Sequence, residues 1–422
     1  MLKSRWSYTL LITLLFPYVL FHLLWRGRKQ PAYLQHVMER FGFYDITPTK
    51  PLIWLHAVSV GESRAAVPLI QQLQKHYPQY QILITHMTPT GRDAGETLFG
   101  DSVLRCYLPY DYPFAVKRFL AHFQPSIGLL METEIWFNLI HACTNARMPL
   151  FLVNARLSAR SARKYARFKH LTRESLINLS GIAAQTEMDA QRLTTLGAPA
   201  VRVMGNLKFD IPPPVAALQM GLTLRDRFGP ARPVLLAAST RDGEEALLID
   251  MLATINIPNL LTVIVPRHPQ RFDEVAALLQ KHAIHFQRRS AETPIAPDTK
   301  VVLGNSMGEM FAYYAACDIA FIGGSLLPYG GQNLIEACAV GRPVIVGPHT
   351  YNFAAATENA VRAGAAIQVN DADELALKVA ELLRDGQKIR AMSDAGLNFS
   401  RSHQGATQRI LQLIEPYLIN QP

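Results

Sequence analysis

The chain has 422 residues, more than one hydrophobic core usually holds, so two domains are expected. Hydrophobic residues make up 49% and charged residues 18%, with no low-complexity tract or internal repeat, which sets disorder aside. The net charge of +9 suits an anionic partner, whether membrane surface, phosphorylated substrate or nucleic acid, and the absence of any helix-turn-helix, zinc-finger or RNP-like pattern turns the reading away from nucleic acid.

In chain order, Trp6 to Trp25 carries no charge and has Trp6, Tyr8, Tyr18 and Trp25 toward its ends, enough for a helix to cross a hydrocarbon core. No small-x-small cleavage site precedes Arg26, so residues 1–30 read as a retained transmembrane anchor helix rather than a signal peptide, with Pro17 and His22 leaving room for tilt. Arg26, Arg28 and Lys29 after the segment outnumber Lys3 and Arg5 before it, which places the body in the cytoplasm. Cys106, Cys143, Cys317 and Cys338 lie apart in apolar stretches without ligand spacing, as reduced thiols of that compartment would.

Residues 31–210 alternate short apolar runs with helical spacing. Strands are predicted at Pro51–Ser59, Gln81–Thr85, Val103–Leu108, Ile127–Met131, Leu150–Val153, Ile182–Ala184 and Val201–Met204, which implies a parallel sheet with ligands at the strands' carboxyl ends. Polar clusters fall there, at Ser59–Ser63, Thr88–Gly91, Glu132–Glu134 and Asn154–Arg156. Ile211-Pro-Pro-Pro214 interrupts the pattern and marks a boundary. Over 215–422 the alternation resumes, with strands predicted at Val234–Ala238, Leu261–Val265, Val301–Leu303, Ile319–Ile322, Val344–Val346 and Ala366–Val369. Both halves are Rossmann-like α/β without GxGxxG, and helices beyond Asp371 are expected to pack back toward the first domain.

Three stretches carry candidate chemistry. In Phe321–Pro348 a strand ends at Gly323 and Gly324 and a helix runs from Gln332 to Val340; amides at such a helix start suit a phosphate, though glycine loops also occur for steric reasons. His56-Ala-Val-Ser-Val-Gly-Glu62 turns from strand to helix, where Glu62 is either a cap complementing the dipole or a reacting group. Asp371-Ala-Asp373 stands at a helix start, where capping accounts for it, and no metal is expected.

The first two stretches, with Met131-Glu-Thr-Glu-Ile-Trp136, Asn154-Ala-Arg-Leu-Ser158, Gly205-Asn-Leu-Lys-Phe-Asp210, Pro266-Arg-His-Pro269 and Met307-Gly-Glu-Met310, resemble in order and type the 3-deoxy-D-manno-octulosonic acid (Kdo) transferases. That resemblance implies a GT-B fold of two Rossmann-like domains facing across a cleft, an acceptor domain over 31–210 and a donor domain over 215–422. It implies an inverting transfer of Kdo from CMP-Kdo to a tetraacylated, phosphorylated lipid A precursor at the inner membrane, in lipopolysaccharide inner-core synthesis, with no cofactor. Glu62 would be the general base, and Glu132 and Lys208 would stabilise the transition state. Arg267, His268, Met307, Gly308, Glu309, Asn333, Leu334, Ile335 and Glu336 would bind CMP, with Asn333 at the phosphate and Glu336 at the ribose; Gly324 and Ser325 are further donor candidates. Arg156 and the basic residues after it would hold acceptor phosphates or form a solvated or membrane-facing cationic helix. Gln332, Phe137, Arg241 and Ala159 stand where the family usually has His, Pro, His and Glu. A two-Rossmann nucleotide-sugar epimerase and a non-catalytic membrane-tethered binder of nucleotide or lipid are the other readings; the anchor speaks against the first, and Glu62, Glu132 and Lys208 together against the second.

Overall fold

Apolar runs separated by helices build two parallel sheets of seven strands each, in the computed structural model that describes residues 4–291 and 293–419. The chain divides into two units, Met1–Ile211 with Gln404–Pro422, and Pro212–His403.

In the first unit β1 (Leu52–His56), β2 (Gln81–His86), β3 (Leu104–Tyr107), β4 (Ile127–Met131), β5 (Leu150–Ala155), β6 (Gly181–Ala184) and β7 (Val201–Val203) lie in the order β3-β2-β1-β4-β5-β6-β7. Both faces are covered, which is why β1 is apolar at successive positions rather than alternating. Leu52 and Trp54 join a cluster with Phe119, Phe123 and Leu139, while Ile53 and Leu55 join another with Leu69, Leu73, Ile410 and Ile414. The strand order turns back at β1, between β2 and β4, so the carboxyl ends of β1 and β4 flank the place where such sheets hold ligands.

The second unit repeats the plan with β8 (Val234–Thr240), β9 (Leu261–Pro266), β10 (Phe286–Arg288), β11 (Val301–Leu303), β12 (Ile319–Ile322), β13 (Val344–Val346) and β14 (Ala366–Gln368) in the order β10-β11-β9-β8-β12-β13-β14. Its order turns back at β8, between β9 and β12.

The expected boundaries need correction at both ends. Residues from Gln404 onward belong to the first unit: the helix Ala406–Ile419 buries Ala406, Ile410 and Ile414 in that core. Asp210 caps it, accepting from the amides of Gly405 and Thr407 at 2.6 Å each. The helices Ala372–Arg384 and Gly386–Ser402 stay in the second unit, so only the last helix returns.

The segment expected to be one membrane-spanning helix is two, α1 (Arg5–Leu14) and α2 (Phe16–Lys29), bent by 52°. Pro17, with no amide hydrogen to continue the ladder of α1, stands in the first turn of α2. Among the described residues no single helix is long and apolar enough to cross a membrane; only this bent pair has the length and composition together. Nor is the pair a separate domain. Tyr8 donates to Asp111 at 3.0 Å and Thr9 to Asn138 at 2.9 Å, Phe16 meets Phe41 and Tyr112 edge-on, and Leu23 is buried. Trp6, Leu10, Leu14, Tyr18, Phe21 and Leu24 stay exposed.

Candidate active site

The chain leaves β1 at His56 and enters α3 (Val60–His76) through Ser59, the N-cap. The Ser59 hydroxyl accepts from the Glu62 amide at 3.4 Å and donates to Glu62 Oε1 at 2.9 Å, while the Val58 amide donates to Oε2 at 2.8 Å. Each carboxylate oxygen is thus held by one donor from the turn, a variant of the capping box that Ser-x-x-Glu signals. Burial pushes the Glu62 carboxyl up to about 7, helped by the charge of Glu132 and opposed by the bonds from Val58 and Ser59. A carboxylate that titrates near neutrality is well matched to taking a proton from a hydroxyl as that hydroxyl attacks.

Glu132 follows β4 with φ +56° and Asn154, next to last in β5, has φ +52°, both in the left-handed region that costs a residue with a side chain about 1–2 kcal/mol. The sheet holds them there. Glu132 donates its amide to the Val153 carbonyl at 3.0 Å, and Asn154 Oδ1 accepts the Leu207 amide at 3.1 Å. That second bond seats the turn Leu207–Asp210, whose Lys208 Nζ lies 3.7 Å from Glu132 Oε1. The Asp210 cap on the last helix holds the same turn from its other end. Glu62, Glu132 and Lys208 are therefore brought together from three distant segments. Glu134, which the sequence reading left unassigned, joins them: it accepts from the Trp136 indole at 2.7 Å, and burial holds its carboxyl above the usual range. Ser59 and Asn154 had been given no role of their own; Ser59 had a signal in its spacing to Glu62, and Asn154 in its place in a polar cluster at a strand's carboxyl end, though not its left-handed backbone.

Arg156 is half-buried just past β5, and its carbonyl accepts from the Thr133 hydroxyl. The helix Ala159–Ala166 beyond it, capped by Ser158, exposes Arg160, Arg163 and Lys164. Two of the family departures have a structural account. Phe137 packs its ring edge-on to Tyr8 of α1 at 5.0 Å, and Arg241 lies over the Tyr329 ring at 4.7 Å. Ala159 is an exposed first residue of its helix, and nothing in the structure explains Gln332.

In the second unit Arg267 and His268 leave β9 at its carboxyl end. Partial burial and the cations Arg241, Arg267 and Arg271 lower the His268 pKa. Met307 is exposed, and Gly308, with φ +82°, has open space where a side chain would stand. Glu309 accepts from the Ser306 hydroxyl at 2.6 Å and lies 3.5 Å from Arg289. Asn333 stands one residue before the N-cap of the short helix Ile335–Ala339, accepting from the Ile335 amide at 3.1 Å and donating to Glu336 at 3.0 Å. Leu334 and Ile335 are buried, which leaves their main chain as the part a ligand could meet.

The glycine loop departs from expectation. The amides of Gly324, Ser325 and Leu326 all donate to the carboxylate of Glu244, at 2.6, 3.0 and 3.0 Å, and Arg241 adds a fourth at 2.9 Å. Glu244 is fully buried, so these loop amides already have an internal acceptor, whereas the expected phosphate place, at the helix start beside Asn333, is a separate position. Ser325 is buried too, bonded to the Ile322 carbonyl and, at 2.8 Å, to the Gly347 amide. Gly324 and Ser325 therefore have their amides, and Ser325 its hydroxyl, bonded within the protein. Asp371 accepts from the Glu374 amide at 2.8 Å as a helix cap, and among the described residues no group of three or more His, Cys, Asp or Glu side chains could hold a metal ion.

Residues 35–211 match the family described as 3-deoxy-D-manno-octulosonic-acid transferase (kdotransferase), and residues 246–399 match glycosyl transferases group 1. The chain is 43% identical, over 98% of its length and all of the relative's, to the 3-deoxy-D-manno-octulosonic acid transferase of Bordetella pertussis. The chain belongs to the Kdo transferase family. The Haemophilus influenzae member is 40% identical over 98% of this chain and 99% of its own. A glycosyltransferase structure from Rickettsia africae, 14% identical, aligns with a TM-score of 0.63 over 89% of this chain and 100% of that one, a likeness of fold that makes the two-sheet architecture GT-B-like. Within the Kdo transferase match lie Glu62, Glu132, Glu134 and Lys208; Arg267 to Glu336 lie within the second.

Proposed function

We propose that this Kdo transferase family member moves Kdo from CMP-Kdo to a tetraacylated, phosphorylated lipid A precursor, inverting the anomeric carbon in a single displacement. The observation that carries the reading is Glu62: a buried carboxylate fixed by two donors beside the Glu132–Lys208 pair, where burial pushes its pKa up to about 7. Glu62 takes the proton of the acceptor hydroxyl as its oxygen bonds to the anomeric carbon. The bond from that carbon to the CMP phosphate breaks on the opposite side, and its electron pair leaves with CMP. Lys208 offsets negative charge growing on the leaving group, and Glu132 faces the positive character of the sugar. Arg267, His268, Met307, Gly308, Glu309 and the Asn333–Glu336 segment bind CMP. With a cationic side chain in this role and a monophosphate as leaving group, the reaction proceeds without a metal ion.

The acceptor is a lipid, and the exposed apolar faces of α1 and α2 support docking in the plane of the inner membrane, with Arg26, Arg28 and Lys29 at the cytoplasmic surface. Incubating the detergent-solubilised protein with CMP-Kdo and the tetraacylated precursor tests the proposal. CMP release together with a Kdo-lipid product is expected; neither, at any pH between 6 and 9, would overturn it.

A further inference from the structure

A cavity of about 300 Å³ lies in the first unit between α2 and the loop after β2, lined among others by Tyr18, His22, Arg26, Tyr33, Arg40 and Thr88. Arg40 is 1% exposed. Its guanidinium stacks 3.9 Å from the centre of the Tyr107 ring and donates one bond, at 3.1 Å, to the Met87 carbonyl. Its Nε and second terminal nitrogen meet no partner in good hydrogen-bond geometry, and the Tyr110 hydroxyl, on the cavity wall, is the protein group that bears on the guanidinium there. The adjacent Glu39 does not neutralise it, since that carboxylate is bonded to Arg92 and to the Tyr107 amide, both at 2.7 Å. A buried cation with two poorly met donors is costly to keep unless an anion completes it.

The surroundings suit that anion. Arg26 brings a second guanidinium from α2, resting over the Tyr33 ring at 5.1 Å, and Tyr18, Tyr33, His22 and Thr88 offer polar groups. Two arginine forks with hydroxyl donors fit the geometry of a phosphate better than that of a spherical ion. The volume is at the lower end for ligand pockets, about 300–1,000 Å³, enough for a phosphate with part of the sugar that bears it. The cavity also adjoins the base: the Thr88 hydroxyl donates to the Val58 carbonyl at 3.2 Å, and the Val58 amide holds Glu62. The same α2 also exposes Phe21, Leu24 and Trp25, which do not line the cavity.

We propose that this cavity binds a phosphate monoester through Arg40 and Arg26, and that, on the transfer reading above, the group it takes is a phosphate of the lipid acceptor. The site then sets the acceptor headgroup against the Glu62 turn while the acyl chains stay at the apolar face of α2.

The test uses the full-length protein in detergent. Inorganic phosphate is titrated against chloride at constant ionic strength, read by thermal unfolding and by phosphorus NMR line width. Saturable binding is expected, weakened about tenfold or more by Arg26→Gln and by Arg40→Lys. Arg26 is exposed, so its variant remains folded even if the Arg40 variant does not. In the second arm, transfer is measured on the phosphorylated precursor and on its dephosphorylated form. Removing the phosphates should raise KM about tenfold with little change in kcat, and Arg26→Gln should produce the same rise on the phosphorylated acceptor but none on the dephosphorylated one. Absent or variant-independent phosphate binding overturns the cavity. Arginine-dependent binding of inorganic phosphate with KM indifferent to acceptor phosphorylation overturns its assignment to the lipid in favour of free phosphate. Failure of the transfer reading looks different: no CMP is released with any lipid acceptor while phosphate still binds through Arg26.

Discussion

Glu62→Gln should abolish transfer and yet stabilise the protein above neutral pH. Burial and the Glu132 charge lift this carboxyl from 4.5 to about 7, so the folded protein binds the proton more tightly than the unfolded chain does. The favourable contribution of the protonated group is complete below 4.5 and is lost as pH rises through about 7, where the buried site must accept a charge. The shift corresponds to at most about 3 kcal/mol. Glutamine keeps the shape but turns an amide nitrogen toward one donor; the Ser59 hydroxyl can rotate and accept, which limits that cost to about 1 kcal/mol. The net expectation is a gain of about 1–2 kcal/mol at pH 8, or roughly 2–8 °C in Tm, and no gain or a loss at pH 4. Thermal unfolding of both proteins at the two pH values checks this, with initial rates measured on the same samples. In the wild type kcat/KM should fall about tenfold per unit below pH 7, and Ser59→Ala, which removes a donor to the charged form, should move that limb up by about one unit. A Tm difference equal at both pH values, or an acid limb near pH 4.5, would refute the reasoning.

Tyr8→Phe removes one of the donors to the buried Asp111, whose carboxyl burial pushes up to about 7 against bonds from Asn138, Leu139 and Tyr8. Denaturant unfolding should show a loss of about 1–2 kcal/mol, and unchanged stability would mean that α1 is a detachable anchor. Glu244→Gln keeps one accepting oxygen and turns an NH2 group toward the amides held by the other, which should cost about 2–3 kcal/mol, with CMP affinity falling as the loop loosens; calorimetry on CMP and unfolding curves report the two effects, and neither should change if the loop is held by its glycines alone. Lys208→Met should lower kcat about 10²–10³-fold while the Kd for CMP changes little, and an equal loss in CMP binding would place Lys208 in nucleotide recognition. Excess EDTA should leave the initial rate of transfer unchanged, and recovery of a lost rate by added Mg²⁺ would establish a metal requirement.

The sheets were legible because strands buried on both faces must be apolar at consecutive positions, and helices between them must be amphipathic. β10 was not legible, since Phe286-Gln-Arg288 is three residues long and half-buried at a sheet edge, too short and too polar to stand out. Hydropathy took residues 5–29 as one helix apart from the body for a different reason: it counts an apolar side chain equally whether lipid or protein covers it. What turns α1 into part of the first unit is Asp111 and Asn138, more than a hundred residues away, meeting Tyr8 and Thr9. Phe137, noted in the sequence only as a departure from the family's proline, gains its meaning from the same contact with Tyr8.

The glycine loop and the Glu62 turn show why the sites divided as they did. Glycines signal that backbone amides can converge, but they do not say on what, and Glu244, eighty residues before the loop, had no local signal for the answer. At Glu62 the partners are local, three and four residues away, so spacing alone exposed them. There the choice between a helix cap and a reacting carboxylate dissolves. The capping bonds orient both oxygens, and a carboxylate tied only by them at a solvated helix start would titrate low and make a weak base. Burial and the charge of Glu132 raise it again. Cap and base are then one arrangement: the turn supplies direction and holds the pKa down, the fold raises it, and losing a turn donor should move the acid limb up whereas losing the burial should move it down.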